Sequence, residues 1–300
     1  MEGTTFIMNE KIKKIQQEKK KAQIMIGIFV VGLLFSLILT FRRSPLATLL
    51  LGIMFLFYVF VFRRQAKQYQ NVIKTATLEE CLRPYLKEIT YEEKNGLKSE
   101  HISESHFLPV QHDKSILIRD TVRGTYQALP AFLSDVTCDY TSVRPVKHGN
   151  EKPILDFISG NWFEIRFSSP LPYSCTIWDK QLVDSTAREP FFEGFRMMSG
   201  CQAREFENKF FTYTKEAEDF ILPEEVTGAL LKLAEFTPGQ VAAQLDGPVF
   251  RIFIRNRFLY TNAVSPKVEI TPQILQHNQY PEISYILRVA DAVRKMEQEC

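Results

Sequence analysis

The sequence predicts an α+β protein: an N-terminal transmembrane helical hairpin followed by a mixed, mainly antiparallel sheet domain with a few packed helices. Three observations predict it. Two apolar runs without a charged residue, Ile24 to Phe41 and Leu46 to Phe62, are separated only by Arg42-Arg43-Ser44-Pro45. Beyond residue 100, short runs rich in β-branched and aromatic residues recur between turn residues. Two amphipathic helical stripes, after Pro223 and after Pro281, stand apart from those runs, and grouped strands and helices give an α+β arrangement.

As helices rising about 1.5 Å per residue, both apolar runs cover most of a hydrocarbon core about 30 Å thick. They are apolar all round, whereas a core helix of a soluble protein keeps a polar stripe. In lipid every backbone amide must pair within its own segment, so both are expected to be helical. Pro45 suits the first turn of the second helix, where its missing N–H is harmless. No small-x-small cleavage site follows the first run, which argues against a cleaved signal peptide.

The flanks orient the hairpin. Lys11, Lys13, Lys14, Lys19, Lys20 and Lys21 precede the first run, and Arg63, Arg64, Lys67 and Lys74 follow the second, against Arg42 and Arg43 between them. The basic excess places both termini in the cytoplasm and the protein in the cell membrane as a two-pass protein. Of 37 basic and 35 acidic residues, residues 1–75 hold 12 and 3, leaving 25 and 32 for the remainder. The basic segment therefore suits an anionic lipid surface. The mildly acidic remainder lacks the footprint of a nucleic-acid binder.

Cys81, Cys138, Cys175, Cys201 and Cys300 are scattered, without C-x-x-C spacing, as expected of free thiols in a reducing compartment. The expected organisation is a basic cytosolic helix over 1–23, the hairpin over 24–62, a helical stalk over 63–90 and a cytosolic domain over 91–300. That domain is read as one unit or as two, 91–180 and 190–300.

In the stalk, Ala66, Tyr69, Ile73 and Ala76 recur at helical spacing, and the stripe resumes after Pro84 as far as about Glu88. Ile7, Ile12 and Ile15 offer a stripe for antiparallel pairing with it, and self-association of two stalks is the competing use. Strands are predicted at Ser115–Arg119, Gly124–Ala128, Ala131–Val143, Trp162–Phe167, Tyr173–Trp178, Phe191–Cys201 and Lys209–Thr214. Residues 147–153 and 179–190 read as loops. A helix opens at Pro223 with Glu224 and Glu225 at its positive end. Val249–Arg255 and Phe258–Asn262 read as a hairpin about Asn256-Arg257, and a helix from Pro281 ends the chain.

Phosphate-binding glycine patterns, a G-x-S-x-G elbow and an H-E-x-x-H helix are all absent from the sequence. No cofactor or metal is expected, and catalytic residues are not assigned. His101, His106, His112 and Asp113 form the densest titratable cluster, but two histidines six apart on a strand lie about 20 Å apart, too far for one metal. The candidate functional region is Phe192, Glu193, Gly194, Cys201, Glu205, Asn208 and Lys209. Glu189, Glu193 and Glu205 supply carboxylates there, and Cys201 a thiol whose default role is structural. Phe191, Phe192, Phe195, Phe206, Phe210, Phe211 and Tyr213 make the region aromatic-rich, as core or as an apolar groove.

Several blocks carry a resemblance: Asp120-Thr-Val-Arg-Gly-Thr-Tyr126 leading to Phe132-Leu-Ser-Asp135, then Phe192-Glu-Gly194, Glu207-Asn-Lys-Phe210, and Leu222-Pro-Glu-Glu before a helix. The chain resembles a family of uncharacterised bacterial membrane proteins with an N-terminal two-helix anchor and a conserved cytosolic domain. The resemblance implies that architecture and no activity. Gly124 and Gly194 read as bends or close approaches in strands. The functional expectation is a membrane-anchored cytosolic module that binds a protein partner or assembles with itself, contacting lipid through 24–62 and the flanking basic residues. Its alternatives are an enzyme at the membrane surface and a lipid-binding module using 191–213.

Overall fold

A computed structural model describes residues 2–41, 46–94, 96–105, 107–108, 115–145, 151–186, 194–200, 202–215, 221–259, 268–276 and 280–299. The chain divides into two compact units, Met1–Cys81 with Tyr260–Gln279, and Leu82–Leu259 with Tyr280–Cys300.

The first unit is helical. Helix α1 spans Glu2–Phe41; α2 (Leu46–Phe57), a π-helical turn (Tyr58–Phe62) and α3 (Arg63–Leu82) follow one another without a break. Two stretches, Glu10–Phe41 and Thr48–Leu82, are long and apolar enough to cross a membrane. Their apolar parts are bare: Val31 is 66 %, Phe55 66 % and Phe60 68 % exposed, a surface that water penalises and lipid does not. Phe29 of α1 lies 5.5 Å from Tyr58 and 5.6 Å from Phe62, ring to ring, so the two helices touch at the π turn.

The polar ends of the same helices pack differently. Ile15, Ala22, Tyr69, Ile73 and Ala76 are buried together, and Ile270 and Leu275 close over them. Leu275 lies on α8 (Pro272–Gln276), a short helix that the sequence reading did not place. Lys11 reaches Glu79 and Glu80, and Gln65 Nε2 donates to Glu18 Oε2 at 2.8 Å. The helical stripe of 63–76 is thus covered within the chain. Helix α3 stops at Leu82 rather than near Glu88, because Pro84 lacks an N–H and disfavours helix at the residue before it.

The second unit is built on a nine-stranded sheet, β1 (Lys87–Glu92), β2 (Ile116–Tyr126), β3 (Leu129–Pro145), β4 (Glu151–Arg166), β5 (Cys175–Asp179), β6 (Arg196–Met198), β7 (Phe210–Thr214), β8 (Val241–Asp246) and β9 (Val249–Arg255). The order is β1-β2-β3-β4-β9-β8-β5-β7-β6, and every pairing is antiparallel. Strands from residues before and after 180 alternate in it, since β9 and β8 lie between β4 and β5. The helices of this unit are α4 (Ser99–Glu104), α5 (Lys180–Thr186), α6 (Arg204–Lys209), α7 (Glu224–Phe236) and α9 (Ile283–Glu299). Helices α7 and α9 pack together, with Phe236 and Tyr285 stacked at 4.2 Å.

Several local expectations change. The two runs at 115–119 and 124–128 are one strand, β2, interrupted by a bulge at Asp120-Thr121, where Asp120 takes φ +56°. Residues 180–186 form a helix rather than a loop, because Asp179 Oδ1 accepts the Gln181 N–H at 2.9 Å and caps it. The predicted strand Phe191–Cys201 shrinks to Arg196–Met198 among the described residues. The predicted hairpin about Asn256-Arg257 runs into residues 260–262, which lie outside the described residues, and among the described residues both edges of β9 are taken, by β4 and β8. β9 pairs backwards with β8 through Gly247-Pro248, Gly247 supplying φ +56°, while the Asn256 N–H bonds to Ser159 O at 2.8 Å. Gly124 is a close approach as read, since a Cβ there would lie 2.9 Å from Lys87 O, and Gly194 takes φ +76°.

Candidate functional site

Antiparallel register places directly opposed residues on one face of a sheet. Here it aligns Arg123, Phe132, Glu164, Arg251, Gln244 and Thr176 in a single row across six strands. The next row on that face is Ser134, Trp162, Phe253, Ala242, Trp178 and Phe211, mostly core. A charged row therefore runs beside a row rich in aromatic residues, on the face that α4 covers.

The row is joined by hydrogen bonds. Glu164 Oε2 lies 2.6 Å from His101 Nε2 on α4 and accepts from Arg251 Nε at 3.2 Å. Arg251 Nη1 donates to Gln244 Oε1 at 2.8 Å, and Gln244 Nε2 donates to Ser105 O at 3.2 Å. Ser105 Oγ in turn donates to Ile102 O and accepts the Phe107 N–H. The row and the turn after α4 thus hold each other. Glu164 is 1 % exposed, Gln244 3 % and Arg251 6 %. Burial pushes the Glu164 carboxyl up, but the His101 hydrogen bond and the Arg251 charge together outweigh it and hold the carboxyl below its usual range.

Above the Glu164 end opens a cleft of about 530 Å³, lined by Leu97, Lys98, His101, Arg123, Phe132 and Arg166 among others. Arg123 stands over the Phe132 ring at 5.5 Å, donates to Gly96 O, and approaches Glu92 at 3.6 Å. Chemically this suits binding better than proton transfer. Glu164 is held ionised by two partners at one oxygen, and no hydroxyl or thiol nucleophile is paired with His101 among the described residues.

The described residues of the region singled out in sequence fall elsewhere. Phe192, Glu193 and Cys201 lie outside the described residues, as do Glu189, His106, His112 and Asp113. Glu205 and Asn208 are exposed on α6. Lys209 forms an ion pair at 2.8 Å with Asp179, which is 1 % exposed and caps α5. Phe206 and Phe210 are buried and packed on each other at 4.9 Å, and Tyr213 is buried in the main core. Strand β7, which follows α6, stands four strands from β4, about 19 Å at sheet spacing, so the described residues of this region are not brought to the cleft.

Of the cleft residues, sequence reading singled out His101 for its chemistry, while Arg123 and Phe132 entered only with the blocks that carry the resemblance. Glu164 and Arg251 carried a signal: each is a charge at the centre of an apolar run, Trp162-Phe-Glu-Ile-Arg and Val249-Phe-Arg-Ile-Phe. A lone charge in such a run needs a partner, and the partner is set by strand pairing, which neither run reveals.

No protein-family model matches the chain, and no curated protein is significantly similar to it. A matching solved structure is the mycobacterial trehalose monomycolate transport factor A, TtfA, with a TM-score of 0.37 and 9 % identity, covering 75 % of this chain and 93 % of that one. The resemblance to two-helix-anchored bacterial proteins therefore stays with the short blocks that carry it.

Proposed function

We propose that this chain is a two-pass membrane protein that holds its α+β unit at the cytoplasmic face, where that unit docks a protein partner. The observation that carries the reading is the bare apolar surface of α1 and α2, bounded by lysine and arginine at the ends that lead into polar chain. The basic excess, 12 against 3 within residues 1–75, supports the cytoplasmic side. A docking role draws support from a groove of about 550 Å³ along α7 and α9. Gly228, Ala229 and Ala292 lie along it, Glu224, Glu225 and Asp291 supply acids, and Lys232, Arg288 and Lys295 supply bases. A Cβ at Gly228 would meet nothing within 4 Å, so the helix carries a glycine there without a packing need.

Topology is tested by fusing a fluorescent protein or alkaline phosphatase to the C-terminus. Fluorescence without phosphatase activity is the expected result, and the reverse overturns the cytoplasmic placement. Docking is tested by crosslinked purification from native membranes, comparing the full chain, residues 1–75 alone and Gly228→Leu in the full chain. A stoichiometric partner retained by the full chain, and lost in both others, supports the reading. Recovery of the protein alone sinks it.

A further inference from the structure

We propose that the cleft over Glu164 binds a phosphate group, with Lys98, Arg123 and Arg166 as its cationic contacts and Leu97, Pro130 and Phe132 receiving the apolar part of the ligand. This goes beyond membrane anchoring and partner docking and does not depend on either.

The three cations come from three places in the chain: the turn before α4, strand β2 and the end of β4. The Lys98 and Arg166 side chains are exposed and carry no hydrogen bond or ion pair among the described residues, in contrast to Lys11, Lys209, Arg251 and Arg257, which are each paired. A single carboxylate is planar and is satisfied by one bidentate guanidinium, whereas a phosphate group offers oxygens in several directions to cations on different elements. Phosphate is therefore the better match to this arrangement.

The floor fits the same ligand. The Glu164 charge is taken up by His101 and Arg251, so an incoming anion meets a compensated carboxylate rather than a bare one. His101 Nε2 is committed to Glu164, while Nδ1 has no partner among the described residues and remains available to the ligand. Glu100 and Glu104 occupy the α4 side of the cleft, and their repulsion directs the anion towards the β2–β4 side, where Arg123 and Arg166 stand. Phe132 and Pro130 on that side give an ester chain or a sugar ring an apolar surface.

The test titrates the full chain in neutral detergent with inorganic phosphate and, separately, with dihexanoyl phosphatidic acid. Dihexanoyl phosphatidylcholine serves as a lipid without net charge. The expected result is saturable binding of one equivalent per chain of at least one phosphate probe. It should weaken more than tenfold in Lys98→Ala/Arg166→Ala and remain unchanged in Arg204→Ala, an exposed cation on α6. Both cleft substitutions are at exposed, unpaired side chains, so an unaltered thermal midpoint accompanies the loss. Binding of both probes assigns the site to the phosphate group itself, and binding of phosphatidic acid alone assigns it to a lipid headgroup. Failure of both probes to bind, or equal binding by the cleft variant, overturns the proposal.

Discussion

Asp135 and Asn161 face each other across β3 and β4, and between them they bond Leu259 and Tyr280, the residues that flank Tyr260–Gln279, a stretch grouped with the helical unit. Asp135 Oδ1 accepts the Leu259 N–H at 2.9 Å and the Asn161 amide at 3.3 Å, while Asn161 Oδ1 accepts the Tyr280 hydroxyl. Beside them Arg257 pairs with Glu282 at 2.7 Å and stands over the Tyr280 ring at 5.3 Å.

Tyr280→Phe removes one hydroxyl and should cost about 1 kcal/mol, whereas Asn161→Ala also removes the amide bonds to Ser134 O and Asp135 Oδ1 and should cost about 2–3 kcal/mol. Chemical denaturation of the full chain in detergent measures both. Equal effects would mean that the Asn161 amide bonds contribute nothing.

Acid stability should follow Glu164. Its carboxyl titrates lower in the folded protein than in the unfolded chain, so the unfolded chain takes up protons first as pH falls. The stabilisation is therefore complete above the ordinary value near 4.5 and is lost as pH drops through the lower folded value. Glu164→Gln should flatten this acid slope. It should also cost about 3 kcal/mol at neutral pH, because the buried Arg251 keeps only the exposed Asp246, at 3.8 Å, as counter-charge. Thermal midpoints from pH 7 to pH 3 for both proteins are the check, and parallel curves would remove Glu164 from the explanation.

The turn joining β2 to β3 is Gln127-Ala128, with φ +49° and +68°, a conformation that favours glycine or asparagine. Gln127 contributes through Tyr126, Asp291 and Arg294, whereas Ala128 contributes only its strain. Ala128→Gly should raise stability by about 1 kcal/mol. A lower midpoint would show that the turn is not strained.

Gly160 has the opposite character. A Cβ there would run into Ile254 O and lie 2.8 Å from Phe253 Cζ and 2.9 Å from Arg255 Cα, on the strand that pairs with β4. Backbone cannot step aside as a flexible side chain can, so Gly160→Ala should cost about 3 kcal/mol. Expression and denaturant midpoint measure it, and a neutral result would mean that β4 and β9 are farther apart at that point.

Sequence pattern identified both membrane-length apolar runs and helices α7 and α9, because each depends on periodicity within one segment. It missed β8, whose run Val241-Ala-Ala-Gln-Leu-Asp246 is short and small, and so misassigned the partner of β9. The Gln127-Ala128 turn carries no glycine or asparagine signal, and the bulge at Asp120 split β2 in two. The cleft was invisible for a different reason. Its members come from residues 96 to 166 with Arg251 beneath them, and only strand register assembles them.

The stretch 260–279 bears on how a soluble version should be made. A cut after Leu82 removes Ile15, Tyr69 and Ile73 but keeps Ile270 and Leu275, stripping those two side chains of the apolar partners they are buried against. Deleting 260–279 together with the helices is the better surgery. Its two stumps, Leu259 and Tyr280, are already fastened to neighbouring strands, so a short polar linker can join them without disturbing the sheet.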